Sequence, residues 1–182
     1  METFALNREF VANPDFAEQK QACLAGLHDG LIDRPIVDVI NGLNALECCF
    51  TLQCCYGHFV HPGCRSPHNL EPLWDHDTGP VEYRLAYVAL CLADSPDGRG
   101  LHKALQGLSR LAIGYVQFGC AQWFWDKQVN TFVLQVAPER YKLCDSMVLS
   151  WLEARVVEEA RNRFYKALQE LVDAFPGAGS GE

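Results

Sequence analysis

Residues 30–59, GLIDRPIVDVINGLNALECCFTLQCCYGHF, decide how this chain is read. Asp33 stands two residues before Pro35, the pattern of an N-cap followed by proline in a first helical turn. Ile36, Val39, Ile40, Leu43 and Leu46 then recur at three- and four-residue spacing, which predicts a helix with one buried stripe. Cys48 to Cys54 reads as a short strand, and Cys55-Tyr56-Gly57-His58 closes it as a tight turn. Two thiols, a phenol, an imidazole and a glycine gather at that strand end. Gly57 allows a backbone conformation that other residues resist and lets amides approach a ligand. A small-molecule pocket is therefore expected around 51–58, with Asp33, Thr51, Cys55, Tyr56, Gly57 and His58 as its binding residues.

Working outward, residues 1–28 read as two helical pieces broken at Asn13-Pro14. Residues 61–80 carry a proline or glycine at nearly every turn of chain, which admits neither a long helix nor a central strand. Loops of that length are usually functional or disordered, and Leu73 and Trp74 suggest one that packs down as a lid. Val81 to Ala93 is apolar on both alternating faces and reads as one long central strand. Asp94 to Gly98 is a turn by composition, and Leu101 to Ala112 an amphipathic helix. Gly114–Phe118 and Val129–Val136 read as strands joined in a hairpin across Trp123 to Lys127. Ser146 to Phe175 is the longest helix, capped by Asp145, with Leu152, Val156, Ala160, Phe164, Leu168, Leu171 and Phe175 on its buried face. Glu159 and Arg163 add an i,i+4 pair. Pro176-Gly177 stops it. The expectation is one α+β domain over 1–175, with a mixed or mostly antiparallel sheet and a loose tail over 176–182.

Composition narrows the function classes. At 182 residues with 49% apolar and 21% charged residues, the chain can bury a full core. A net charge of −8 with no cluster of Lys and Arg disfavours nucleic acid and anionic lipid as partners. The longest apolar run, Leu85 to Ala93, is too short to span a bilayer. METFALNREF lacks a signal-peptide layout. Nine cysteines, an odd number with two adjacent pairs, read as reduced thiols of a cytoplasmic protein, most of them buried as small hydrophobes.

Three constellations could carry chemistry. Cys55 could act as a nucleophile beside His58, against the plainer reading of a strand-end turn with buried thiols. His61-Pro62-Gly63-Cys64, with Cys54, Cys55, His58, His68 and His76 nearby, has zinc-ligand composition but irregular spacing, so no stoichiometric metal is expected. Gln117 to Trp125 offers aromatic walls and amide handles suited to a flat ligand or a partner, or a hairpin whose rings fill the core. No dinucleotide fingerprint, P-loop, nucleophile elbow or H-E-x-x-H is present.

Residues 30–59 also resemble the wybutosine-synthesis methyltransferase family, which modifies a guanosine-derived base in tRNA with S-adenosylmethionine. That family shows Gly-x-x-Asp, an apolar helix ending near Asn, then Thr-Ser-Ser-Cys-Ser-Gly-Arg. Gly30, Asp33, Asn41 or Asn44, Cys55 and Gly57 match. Gln53, Cys54, Tyr56 and His58 stand where the family has Ser, Ser, Ser and Arg, which removes a fixed cation and three hydroxyls from the turn. The resemblance implies the fold, a pocket at this turn and S-adenosylmethionine as cofactor of a transferase. Two alternatives stand beside it. One is a non-catalytic protein that binds a small molecule or forms a homo-oligomer through Trp123-Phe124-Trp125; the other is a zinc-stabilised interaction module centred on Cys54 to Cys64.

Overall fold

The computed structural model describes residues 4–5, 8–64, 66–74 and 78–176. Strands β1 (Phe4–Ala5), β2 (Cys49–Cys55), β3 (His58–Val60), β4 (Pro80–Arg84), β5 (Ala86–Leu92), β6 (Val116–Ala121), β7 (Thr131–Val136) and β8 (Ser146–Ser150) are accompanied by five α-helices. These are α1 (Phe16–Ala25), α2 (Val37–Ala45), α3 (Pro96–Gly107), α4 (Gln122–Lys127) and α5 (Trp151–Ala174). A five-stranded sheet runs in the order β1-β6-β7-β5-β2 and a three-stranded sheet in the order β3-β4-β8. Every strand pairing is antiparallel. The α+β expectation holds.

The apolar stretch 81–93 is two strands, not one. Tyr83 and its neighbours pair with β3 and β8, whereas Ala86 onward pairs with β2 and β7. Leu85 lies between them, and its N–H bonds to Asp145 O at 3.0 Å. Tyr83 Oη ties the break, donating to Val136 O at 2.8 Å and accepting the Ala86 N–H at 3.0 Å. Both halves lie inside their sheets, β5 buried on both faces as its two-sided apolar patterning demands, β4 on one face only, with Glu82 and Arg84 on the other.

β6 and β7 pair directly, Gln117 opposite Gln135. Their connection carries helix α4 instead of a plain loop. Pro96 begins α3 with Ser95 as N-cap, its Oγ accepting the Gly98 N–H, so the expected turn over 94–98 is in part a helix start. Of the two helical pieces expected over 1–28, only α1 forms among the described residues; Phe4–Ala5 pairs with β6.

The C-terminal helix also starts later than expected. Residues 146–150 are the edge strand β8, and Ser150, not Asp145, caps α5 by accepting the Glu153 N–H. Its buried face is rotated from the expected one. Ala154, Val157, Phe164, Leu168 and Val172 face inward with Glu158 and Arg161, while Leu152 is 78% exposed. Ala160, Phe164 and Leu168 are buried as expected; Arg161 was not expected inside. Glu159 and Arg163 pair at 4.0 Å on the outer face. Leu73 brings the 66–74 segment down onto this helix: its N–H bonds to Glu158 Oε1 at 3.0 Å and its carbonyl accepts from Arg155. Trp74 remains 65% exposed. His76 and the tail from 177 lie outside the described residues.

Candidate functional site: a carboxylate, an imidazole and a thiol at the junction of two sheets

The chain leaves the large sheet at Cys55 and enters the small one at His58, so Tyr56 and Gly57 bridge the two. Gly57 adopts φ 90°, where only glycine sits without strain. A Cβ there would come within 2.7 Å of Ala86 Cβ and 3.1 Å of Tyr83 Oη. The turn is thus packed against the strand break at Leu85.

Asp33 does not serve as the cap its sequence context suggests. A 3-10 turn, Arg34–Ile36, precedes α2, and the Asp33 side chain makes no capping bond. Its Oδ2 instead accepts the Tyr56 N–H at 2.8 Å and lies 3.3 Å from His58 Nε2. Cys55 completes the group: one ligand atom from each of Asp33, Cys55 and His58 lies within 4.8 Å of the others. The Gly57 N–H points at Cys55 Sγ from 3.4 Å.

His58 is almost fully buried, and its Nδ1 lies 3.2 Å from Asn69 O. Both ring nitrogens therefore face acceptors, an arrangement that a neutral imidazole with one N–H satisfies only at one end. The Asp33 carboxylate, with Cys55 beside it and against the opposing effect of burial, raises the His58 pKa to about 10. Burial pushes the Asp33 carboxyl up, but the His58 and Tyr56 hydrogen bonds outweigh it and hold it below its ordinary value. Burial, then the Asp33 charge, raises the neighbouring Cys54 thiol to about 12, so Cys54 is a neutral bystander.

A cation reaches this turn from the far end of the chain. Arg161, 3% exposed, donates to Gly57 O at 2.9 Å and lies over the Tyr56 ring at 4.0 Å. Glu158 Oε1 lies 3.8 Å from its guanidinium, and Asn162 Oδ1 accepts from it at 3.0 and 3.1 Å. Tyr165 Oη donates to Cys55 O at 2.6 Å. The sequence reading missed Arg161 because its glutamate neighbours make the segment look like a solvated face. The available signal was its place four residues after Val157 and three before Phe164, which sets it on the apolar stripe.

The expected binding residues separate into four groups. Thr51 is scaffold: its N–H and hydroxyl bond to Asn44, at 2.7 Å to Oδ1 and 3.0 Å to Nδ2. Tyr56 lines a shallow recess of about 430 Å³ between α2 and α5. Cys55 lines the larger cavity, about 700 Å³, on the opposite side of the turn. Asp33, Gly57 and His58 line neither.

The larger cavity is floored by Gln53, Tyr87 and Gln135 of the five-stranded sheet. Trp123, Phe124 and Asp126 of α4 wall it on one side, and Arg84 with Lys142 and Asp145 on the other. Gln135 is fixed by bonds to Gln117 Oε1 and Lys142 O. Trp123 is half exposed with Lys127 Nζ 3.6 Å over its ring, whereas Phe124 and Trp125 are buried, so the aromatic surface expected over 123–125 is a single exposed ring. Among the described residues none of 61–80 lines this cavity. That loop closes on the His58 side instead, through Asn69.

All nine cysteines are free thiols. His61 and Cys64 pair with each other through their backbones and do not join the Asp33 group. Among the described residues no helix is long and apolar enough to cross a membrane.

No family model matches this chain, and no curated protein matches it. Solved structures do. One structure of the PH1069 protein from Pyrococcus horikoshii aligns with a TM-score of 0.50 at 16% identity, covering 91% of this chain and 96% of that one. A second, of the PH1069 protein from Pyrococcus horikoshii OT3, gives 0.50 at 14% identity, covering 92% and 99%. At these identities the likeness shows a shared α+β fold over nearly the whole of both chains.

Proposed function

We propose that this chain binds a small molecule with a flat ring and a zwitterionic end in the 700 Å³ cavity beside Cys55. The observation that carries the reading is the composition of the cavity wall. Aromatic rings stand next to fixed amides, with carboxylates (Asp126, Asp145) and cations (Arg84, Lys142) in one concave site of ligand-binding size. Stacking on Trp123 or Phe124 would hold a heteroaromatic ring, and Gln53 and Gln135 would read its edges. Charges of both signs suit an amino-acid end group.

S-adenosylmethionine, the cofactor implied by the resemblance of residues 30–59, has this set of groups: a purine, an ammonium and a carboxylate. When bound it supplies a methyl or aminocarboxypropyl group for transfer. The chain's own residues would position it, an Asp126 or Asp145 carboxylate meeting the ammonium and an Arg84 or Lys142 cation the carboxylate. A transferase is the activity that follows from this reading.

Calorimetric titration with S-adenosylmethionine and S-adenosylhomocysteine tests it. Saturable binding at one site per chain is expected, weakened about 5- to 30-fold in Trp123→Ala by loss of about 1–2 kcal/mol of stacking. Trp123 is half exposed, so the variant folds. Absence of binding by either compound at millimolar concentration removes this cofactor and the transferase with it. Binding unchanged in Trp123→Ala removes the cavity as its site.

A further inference from the structure

We propose that Asp33, Cys55 and His58 form a three-ligand site for a divalent transition metal of zinc's type, with a fourth position open to a ligand from the cavity. The three donors come from the turn before α2, the end of β2 and the start of β3, and they converge within 4.8 Å. Asp33 Oδ2 and His58 Nε2 are 3.3 Å apart. Two ligands at about 2.0–2.1 Å on tetrahedral zinc are separated by about 3.3–3.4 Å, so these two atoms need not move to share an ion.

The surroundings are those a metal site needs. His58 Nδ1 faces the Asn69 carbonyl at 3.2 Å, the outer-shell contact that fixes a ligating imidazole with Nε2 toward the metal. Asn69 is itself anchored by its Nδ2 donating to Phe59 O at 3.1 Å. The Tyr56 N–H holds the ligating carboxylate oxygen and the Gly57 N–H points at the thiol. A carboxylate, a thiolate and a neutral imidazole carry two negative charges, which a divalent ion cancels. Arg161 beside the turn has Glu158 as its own counter-charge.

Ligand chemistry decides the class. A mixed sulfur, nitrogen and oxygen set suits zinc, cobalt or nickel and disfavours magnesium and calcium, which take oxygen alone. Three protein ligands are the number found in zinc sites that keep a position for a bound molecule. Cys55 belongs both to this set and to the cavity wall, so the set adjoins the cavity from which a fourth ligand would come.

The test is titration of the full-length, metal-stripped protein with cobalt(II), followed by visible and near-ultraviolet absorption. One equivalent should bind, with intense visible bands of tetrahedral cobalt and a near-ultraviolet sulfur-to-cobalt band. Zinc should displace it and raise the melting temperature. Cys55→Ser should abolish the sulfur band, and Asp33→Asn, close in shape, should weaken cobalt binding by at least about 10-fold. Cys23→Ser, on α1 and outside both the set and the cavity lining, should leave both unchanged. Far-ultraviolet circular dichroism separates loss of ligand from loss of fold. No cobalt spectrum, or a sulfur band that survives in Cys55→Ser, overturns the proposal. The readout needs no cavity ligand, so its failure leaves the small-molecule reading standing, and failure of that reading leaves this one.

Discussion

Replacing Gly57 by alanine tests whether the turn joining the two sheets is as tightly determined as its geometry implies. At φ 90° an L-residue carries backbone strain of about 1–2 kcal/mol. The new methyl would also meet Ala86 Cβ at 2.7 Å and the Ala86 nitrogen at 3.1 Å, inside normal contact distance. Overpacking of this kind costs about 1–3 kcal/mol. Together the loss should be about 2–5 kcal/mol, a large part of the stability of an ordinary domain. Urea unfolding measures it as a lower midpoint with an unchanged slope. Combining Gly57→Ala with Ala86→Gly should recover the steric part but not the strain, giving a coupling of about 1 kcal/mol or more in a double-mutant cycle. A Gly57→Ala protein within about 0.5 kcal/mol of wild type would refute the reasoning, because neither the positive φ nor the close approach could then be real.

Three further outcomes are expected. Arg161→Met should cost about 3 kcal/mol in urea unfolding, because Glu158 and Gly57 O lose a buried partner, and Glu158→Gln in the same chain should restore part of it. Thr51→Val should cost about 1–3 kcal/mol by stranding the Asn44 amide, yet leave calorimetric ligand affinity unchanged, since Thr51 is scaffold. Leu152→Ala should fall within about 0.5 kcal/mol of wild type while Leu168→Ala costs about 2–5, a contrast that a thermal melt resolves. Equal costs for the last two would mean that α5 is turned the other way.

Periodicity made the helices and most strands legible. The stripe Ile36, Val39, Ile40 and Leu43 is buried as read, and Gln117–Phe118 and Leu134–Gln135 do pair. What periodicity could not show was a change of partner. The face carrying Glu82 and Arg84 turns apolar from Ala86 onward, a mark of the break that the unbroken apolar run from Leu85 hid, and the switch is made by which strands lie alongside. How Asp33 is wired into the site failed to show for a related reason. Asp33 has the local context of a helix cap, but its hydrogen bonds go to Tyr56 and His58, more than twenty residues away. A carboxylate's choice between a nearby amide and a distant imidazole depends on how α2 packs beside the turn. Cys55, Gly57 and His58 were legible as a group because they are adjacent in sequence. Arg161 was not, since charge on a helix normally signals solvent, and only the burial of the entire α5 stripe brings it inside.

The passage from one sheet to the other through Leu85 has a bearing on what lengths of chain this fold accepts. Tyr83 on one side and Ala86 on the other are joined through a single phenolic oxygen, which leaves no slack between the strands. One residue added there would invert every side chain of β4 or of β5, turning core to surface along a whole strand. The same addition between Ser66 and Pro67, in exposed chain outside any strand, changes only the span of a loop. Gains and losses of residues among proteins of this fold should therefore collect between Cys64 and Gly79 and spare 81–92. An alanine inserted after Leu85 should leave no cooperative unfolding transition, while one inserted after Ser66 should still unfold as a unit.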